Sequence, residues 1–140
     1  MQAKTTLVQF TREEVDKIWP LVKKLVQKAC VRAGGFVNEE HIKEYCKQDK
    51  MQLWVVITES NEVLCVCVTE IREYPNYKVC DTKIVTGKRY EDWFHYVDKI
   101  AEWAKEQGCK KMEIFSRPGY VRMFKEKGYV ATHVQVEKEL

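Results

Sequence analysis

The chain has 140 residues, 45% of them apolar, and its 24 basic and 21 acidic side chains leave a net charge of +3. This length and apolar fraction predict one globular domain, spanning residues 1–140, with a substantial core. Nearly balanced charge argues against nucleic-acid binding. No apolar run is long enough to span a membrane and the first residues do not resemble a signal peptide, so we expect a cytoplasmic protein that binds no membrane.

The cysteines and histidines suggest neither a metal site nor disulfides. Six cysteines are present without a C-x-x-C pair or zinc-ligand spacing, which favours reduced cysteines in the core. The histidines are far apart and show no spacing typical of a catalytic triad; they are His41, His95 and His133. We therefore expect no metal.

The first part of the chain predicts a short strand and two helices. Leu7 to Phe10 reads as the strand, and Thr11 to Glu14 has the pattern of a capping box at a helix start. Apolar residues recur at helical spacing up to Ala29, although Pro20 should kink or restart this helix. Asn38 is a candidate cap for a second helix.

Three strands separated by turns follow the second helix. They are predicted at Leu53–Thr58, Val63–Ile71 and Tyr77–Val85. Gly87 then precedes an amphipathic helix that begins near Tyr90 and ends at Gly108.

The end of the chain predicts a strand, a short helix and a final strand. The strand is Lys111–Phe115, the helix is Pro118–Lys127, and an alternating strand follows Gly128. The whole order is β-α-α-β-β-β-α-β-α-β. It predicts an α/β fold in which helices cover both faces of a mixed sheet.

The carboxyl-terminal helix, with its Lys127-Gly128-Tyr129 corner before a last strand, resembles the end of a GCN5-related N-acetyltransferase (GNAT) domain, and the order of elements matches that family. The segments L-W-V-V, V-C-V-T-E-I and E-W-A-K-E-Q-G-C-K-K-M-E-I-F-S-R-P-G are similar to divergent GNAT-like proteins of tailed bacteriophages. The resemblance implies transfer of an acetyl group from acetyl-CoA to an amine acceptor, a small molecule or a protein. If the protein is phage-encoded, this would take place in the host cytoplasm.

The resemblance also implies where acetyl-CoA binds. In the family its pantetheine arm pairs with the fourth strand, and its pyrophosphate lies on amides at the start of the next helix. The matching residues here are Ile84, Val85, Thr86, Gly87, Lys88, Arg89 and Tyr90. The family's phosphate loop has several glycines, whereas this chain has one, and Glu91 and Asp92 add negative charge beside it. Lys88 and Arg89 are cations that would partly compensate.

Candidate catalytic residues depart from the family pattern. Phe124 stands where many members have a tyrosine that protonates the CoA thiolate. Because phenylalanine cannot donate a proton, we expect Phe124 to be a core residue. Tyr120, one turn earlier, is the candidate acid, with a core position as the alternative. Glu70, on an apolar strand face with Leu64, Val66 and Val68, is the first candidate base, and Asp81 is the second. We expect Glu113 to pair with a nearby lysine, and Arg117 to bind an anion or form a surface ion pair.

Two other functions remain open. The atypical loop and Phe124 are compatible with a GNAT-like module that has lost catalysis and serves as a binding or virion-associated protein. The third function, a nucleic-acid-binding domain, is supported only by mild basicity and surface aromatic residues. Acceptor specificity in the family lies in the first two helices and their loop, here residues 28–38, and in the loop between the last two strands, but no residue there identifies the acceptor.

Overall fold

A mixed sheet of five strands organises the protein, whose computed structural model describes residues 4–116 and 118–140. The strands lie side by side in chain order: β1 (Thr5–Phe10), β2 (Gln52–Thr58), β3 (Val63–Glu73), β4 (Lys78–Gly87) and β5 (Cys109–Ile114). Neighbouring strands from β1 to β4 are antiparallel, and β5 is parallel to β4. Strands β1 and β5 therefore form the two edges.

Helices cover both faces of this sheet. They are α1 (Val15–Arg32), α2 (Glu39–Lys47), α3 (Tyr96–Glu106) and α4 (Pro118–Lys125), with a 3-10 turn at Tyr90–Asp92. Apolar residues of α1 and α2 pack with Leu53, Val55, Val66 and Val68 on one face, and residues of α3 and α4 pack on the other. The predicted α/β class and mixed sheet are confirmed.

The helix starts differ in how well the sequence predicted them. Asn38 caps α2 as expected: its Oδ1 accepts from the amide of His41, and its own amide donates to the imidazole of His41. At the start of α1, Glu14 accepts from both the amide and the hydroxyl of Thr11, so only half of the predicted capping box forms. The helix α1 continues through Pro20 without the expected restart.

The core between the sheet and the helices α3 and α4 contains eight of the 16 aromatic side chains. Trp54 meets Trp103 edge-on, with ring centroids 5.0 Å apart. All six cysteines are free, and all except Cys109 are buried, which confirms their predicted place in the core. No helix in the described ranges is long and apolar enough to cross a membrane.

Two predictions of secondary structure are wrong, the start of one helix and the presence of a last strand. The helix expected near Tyr90 begins at Tyr96, because the chain first makes the 3-10 turn. The final strand after Gly128 does not form: no residue after Tyr129 belongs to a strand, and Val130, Val134 and Val136 are 79%, 88% and 90% exposed. Alternation alone does not make a strand, because a strand also needs a partner edge for its backbone hydrogen bonds.

Candidate functional site

The parallel strands β4 and β5 separate near Thr82. Their last paired residues are Thr82 and Ile114, whereas β4 continues to Gly87 alongside β3. The β3–β4 register shifts at this point, so that Lys83 is an extra residue in β4. From Lys83 onward, the side of β4 that faces β5 has no strand partner.

A cleft of about 270 Å³ lies at this separation. Its walls come from the end of α1, from β4, from the end of β5 and from α4. The lining residues are Ala29, Arg32, Ala33, Lys83, Ile84, Val85, Ile114, Phe115, Ser116 and Tyr120. An unpaired strand edge in a cleft can bind an extended ligand through backbone hydrogen bonds.

The charged residues in the described lining are both cations. Arg32 donates from Nη2 to Oγ1 of Thr86 over 2.9 Å and forms no ion pair with a described carboxylate. Lys83, in contrast, is paired with Asp81, its Nζ lying 2.8 Å from Oδ2. The cleft therefore favours a ligand that brings an anionic group.

The two candidate bases and Glu113 lie in one row across the sheet. Glu70 on β3 is opposite Asp81 on β4, which is opposite Glu113 on β5. Arg72 bridges the first two, since its Nε lies 2.9 Å from Glu70 and 3.2 Å from Asp81. Glu113 is exposed and has no ion pair with a described residue, so the pairing predicted for it is wrong.

None of these carboxylates lines the cleft. Asp81 is connected to the cleft through its partner Lys83, which is part of the wall. The expected apolar row around Glu70 is partly wrong: Val66 and Val68 pack beneath α1 and α2, but Leu64 packs in the other core because the β2–β3 register shifts beside it. The base role of Glu70 or Asp81 stays a prediction.

The aromatic residues of α4 divide between cleft and core. Tyr120 is half-buried and lines the cleft. Phe124 is 5% exposed, and its ring lies 5.4 Å from that of Phe94 and 5.3 Å from that of Tyr129, which confirms it as core. Burial raises the pKa of Tyr129 to about 12.

In the loop after β4, where the phosphate site is predicted, the two side-chain cations already have a partner. Lys88 and Arg89 both contact Glu62 in the β2–β3 turn, Lys88 at 3.7 Å, so the compensating cations already have a carboxylate partner. The amide of Lys88 donates to the carbonyl of Leu64. Within the described chain, no hydrogen bond from the amides of Arg89, Tyr90 or Glu91 occupies these donors.

Gly87 is needed for packing. A Cβ at this position would lie 2.3 Å from the carbonyl oxygen of Leu64 and 3.0 Å from Nε1 of Trp93. Atoms of β3 and of the following loop therefore require glycine at this position, whether or not a ligand requires it too.

Sequence reasoning missed Arg32 and Lys83. The range 28–38 contains Arg32, but no motif distinguishes this arginine from other helix-end cations, and only the approach of α1 to β4 places it on the cleft. Arg117 lies outside the described residues. Over residues 4–116 and 118–140, no cluster of three or more His, Cys, Asp or Glu side chains could hold a metal.

No protein-family model matches the sequence, and no curated protein matches it significantly. Solved structures, however, share its fold. An acetyltransferase from Trypanosoma brucei superposes with a TM-score of 0.69 at 13% identity, over 98% of this chain and 100% of that chain. An aminoglycoside acetyltransferase from an uncultured soil metagenomic sample, in complex with sisomicin, gives 0.71 at 11% identity over 97% and 96%.

A ribosomal-protein-alanine N-acetyltransferase from Brucella melitensis gives a TM-score of 0.70 at 10% identity, over 98% of this chain and 99% of that chain. At such identities the likeness concerns the fold alone. The chain has the mixed-sheet fold of the GNAT acetyltransferases.

Proposed function

We propose that the protein is an acetyl-CoA-dependent N-acetyltransferase that transfers the acetyl group directly to an amine. The observation that carries this proposal is the cleft at the unpaired edge of β4, in a fold shared with acetyltransferases. An edge of this kind provides backbone donors and acceptors for an amide-containing ligand, and the pantetheine arm carries two amides.

The residues around the cleft fit this ligand in part. The backbone of Ile84 to Thr86 would hold the pantetheine arm, and Arg32 would bind an anionic group. The unoccupied amides of Arg89 to Glu91 would accept a phosphate, whereas the side chains of Lys88 and Arg89 would first have to leave Glu62. When bound, acetyl-CoA supplies a reactive thioester.

Two proton movements accompany the transfer. The amine nitrogen forms a bond to the acetyl carbon and loses a proton, while the carbon–sulfur bond breaks and the sulfur gains one. Tyr120 is our candidate donor to the sulfur, because its side chain lines the cleft. Asp81 is our candidate acceptor of the amine proton through a water molecule, because its carboxylate does not line the cleft but pairs with Lys83, which does.

A second function is a binding module with the same fold and no turnover. Two observations favour it: the described cleft lining contains neither a carboxylate nor a histidine, and the loop cations are paired with Glu62. Such a module would bind its ligand in the cleft without transferring a group.

Thermal unfolding with and without acetyl-CoA tests the proposal. A ligand that binds only the folded state raises stability by about 2.7 kcal/mol at a hundredfold excess over its dissociation constant. We expect the melting temperature to rise with acetyl-CoA, and free thiol to appear when a panel of amines is added. Binding without thiol release would favour the binding module, and no stabilisation at millimolar acetyl-CoA would reject the proposed transferase.

A further inference from the structure

A small apolar cavity lies beside the cleft, between the sheet and the helices α3 and α4. Its volume is about 20 Å³, which is room for about one group of the size of a water molecule or a methylene. Its walls come from every strand of the sheet and from both helices, and no charged side chain lies among its described lining residues. Because packed interiors contain only a few spaces that could hold a water molecule, this one marks a particular place in the core.

The polar side chains around this cavity have partners elsewhere. The indole N–H of Trp54 donates to the hydroxyl of Thr69 over 3.0 Å, and that of Trp93 donates to a backbone carbonyl over 3.1 Å. The hydroxyl of Tyr96 donates to a carbonyl of β1 over 2.9 Å. A water molecule in a cavity needs about two to four polar partners, whereas apolar cavities stay dry. The space therefore suits an apolar group.

The cavity and the cleft meet where β4 and β5 separate. Val85 and Ile114 line both spaces. Thr82, the last residue of β4 that pairs with β5, lines the cavity but not the cleft. On α4, Tyr120 lines the cleft, and Phe124, one turn later, lines the cavity. A ligand that reaches the point of separation between Val85 and Ile114 is therefore adjacent to the cavity.

The proposed position of the donor directs its acyl group toward this cavity. With a phosphate at the amides of residues 89–91 and the pantetheine arm along Ile84 to Thr86, the donor runs backward along β4. Its thioester then lies near Ile84, at the end of the arm, and the acyl group continues toward Thr82. The acyl group thus reaches the last paired residues of β4 and β5, where the cavity begins.

We propose that the cavity holds the third carbon of a propionyl group, so that the protein uses propionyl-CoA as a donor in addition to acetyl-CoA. The inference rests on the proposed function, which supplies the position of the thioester. An acetyl group leaves this space unfilled, whereas the terminal methyl of a propionyl group matches it in size and in apolar character. As with acetyl, the amine nitrogen bonds to the acyl carbon and loses a proton, while the carbon–sulfur bond breaks and the sulfur gains one.

Affinities for donors of different chain length test the proposal. Burial of one more methylene contributes about 0.8 kcal/mol, so we expect propionyl-CoA to bind about fourfold more tightly than acetyl-CoA in isothermal titration calorimetry. Hexanoyl-CoA should bind more weakly than propionyl-CoA, because its chain is longer than the cavity. If propionyl-CoA binds no more tightly than acetyl-CoA, the proposal is wrong. Equal or tighter binding of hexanoyl-CoA would place the chain outside the cavity.

The substitution Cys67→Val narrows the cavity from β3. Valine is larger than cysteine and suits a strand, and Cys67 lies on the cavity wall. We expect this variant to remove the advantage of propionyl-CoA and to leave the affinity for acetyl-CoA unchanged. Cys80→Val is the matched control, since Cys80 is another buried strand cysteine and does not line the cavity. The control should keep the fourfold ratio, and a Cys67→Val variant that also keeps it would mean that the extra carbon binds elsewhere.

Xenon tests the cavity without any CoA derivative. Dry apolar cavities bind xenon, and its binding shifts the NMR resonances of the methyl groups around it. We expect shifts at Val85, Val97 and Ile114 that Cys67→Val reduces. The absence of these shifts would overturn the proposal, whichever donor binds. If xenon binds and no acyl-CoA does, the proposed function fails and this inference fails with it. Tight binding of acetyl-CoA with no gain for propionyl-CoA rejects this inference alone.

Discussion

Arg32 at the end of α1 and Thr86 on β4 are joined by a hydrogen bond from Nη2 to Oγ1, 2.9 Å long. The bond links the helix that forms one wall of the cleft to the strand that forms another. Thr86 is 6% exposed, and it uses one of the five N–H donors of the guanidinium. The remaining donors of Arg32 face no described carboxylate. The geometry therefore makes Arg32 available for an anionic ligand in the cleft.

We expect Arg32→Ala to lower the affinity for acetyl-CoA by about 10- to 150-fold, because a charge-assisted hydrogen bond typically contributes about 1.5–3 kcal/mol. Isothermal titration calorimetry measures the change. The control is Thr86→Val, which keeps the shape of the buried side chain but removes the hydroxyl that holds Arg32. If both variants lost the same affinity for acetyl-CoA, the loss would come from the Arg32–Thr86 hydrogen bond and not from a contact between Arg32 and the ligand.

Tyr120→Phe should lower kcat about 10²–10⁴-fold if Tyr120 donates a proton to the departing sulfur. The melting temperature should change little, because the phenyl ring keeps the packing. Tyr129→Phe is the matched control: Tyr129 lies against Phe124 in the core, and burial raises its pKa to about 12. Steady-state rates decide the question, and full activity in Tyr120→Phe would remove it from the mechanism.

The sequence correctly predicted those helices and strands whose apolar residues recur at the spacing of the side that they bury. The apolar spacing of α1 and the runs of β2 and β3 correspond to buried residues, and Phe124 is core as expected. The prediction of a final strand was wrong because a strand needs a partner edge. The alternation of apolar and polar residues does not show whether such an edge is present. The predicted start of α3 was wrong because a 3-10 turn precedes the helix, and its acidic residues Glu91 and Asp92 are typical of a helix start.

The candidate site was less predictable because it depends on contacts between distant segments. Tyr120 was expected either in the core or at the cleft, and the structure shows it in the cleft lining, while its role as an acid stays a prediction. Arg32 and Lys83 were missed, since their roles follow from the approach of α1 to β4 and from an extra residue in β4. Lys88 and Arg89 were expected to compensate partly for the missing glycines, and the sequence did not show that Glu62, a turn residue, lies beside both.

Gly87→Ala should destabilise the protein. The added Cβ would meet the Leu64 carbonyl at 2.3 Å, and this backbone atom near the start of β3 cannot move away without disturbing the strand. Overpacking of this kind typically costs about 1–3 kcal/mol and sometimes more. Gly119→Ala in α4 is the control, because nothing lies within 4 Å of its new Cβ and alanine favours the helix. Urea unfolding measures both, and an unchanged midpoint for Gly87→Ala would contradict the packing argument.

The buried cysteines should resist alkylation in the folded protein. The thiolate is the reactive form, and burial raises the pKa of Cys46, Cys65 and Cys80 to about 12 and that of Cys67 well above its ordinary value. At pH 8 a thiol with a pKa near 12 is ionised about a thousandfold less than an ordinary cysteine. Cys109 is the half-buried exception, although burial raises its pKa too.

We therefore expect a maleimide at pH 8 to modify one cysteine of the native protein, Cys109, within the time that it modifies all six in urea. Mass spectrometry counts the adducts, and Cys109→Ser should leave the native protein unmodified. Because raising the pH increases the thiolate fraction of every cysteine, the slow reactions should speed up toward pH 10 as long as the protein stays folded. Rapid native modification of Cys67 at pH 8 would mean that the core between the sheet and α3 opens far more often than its packing implies.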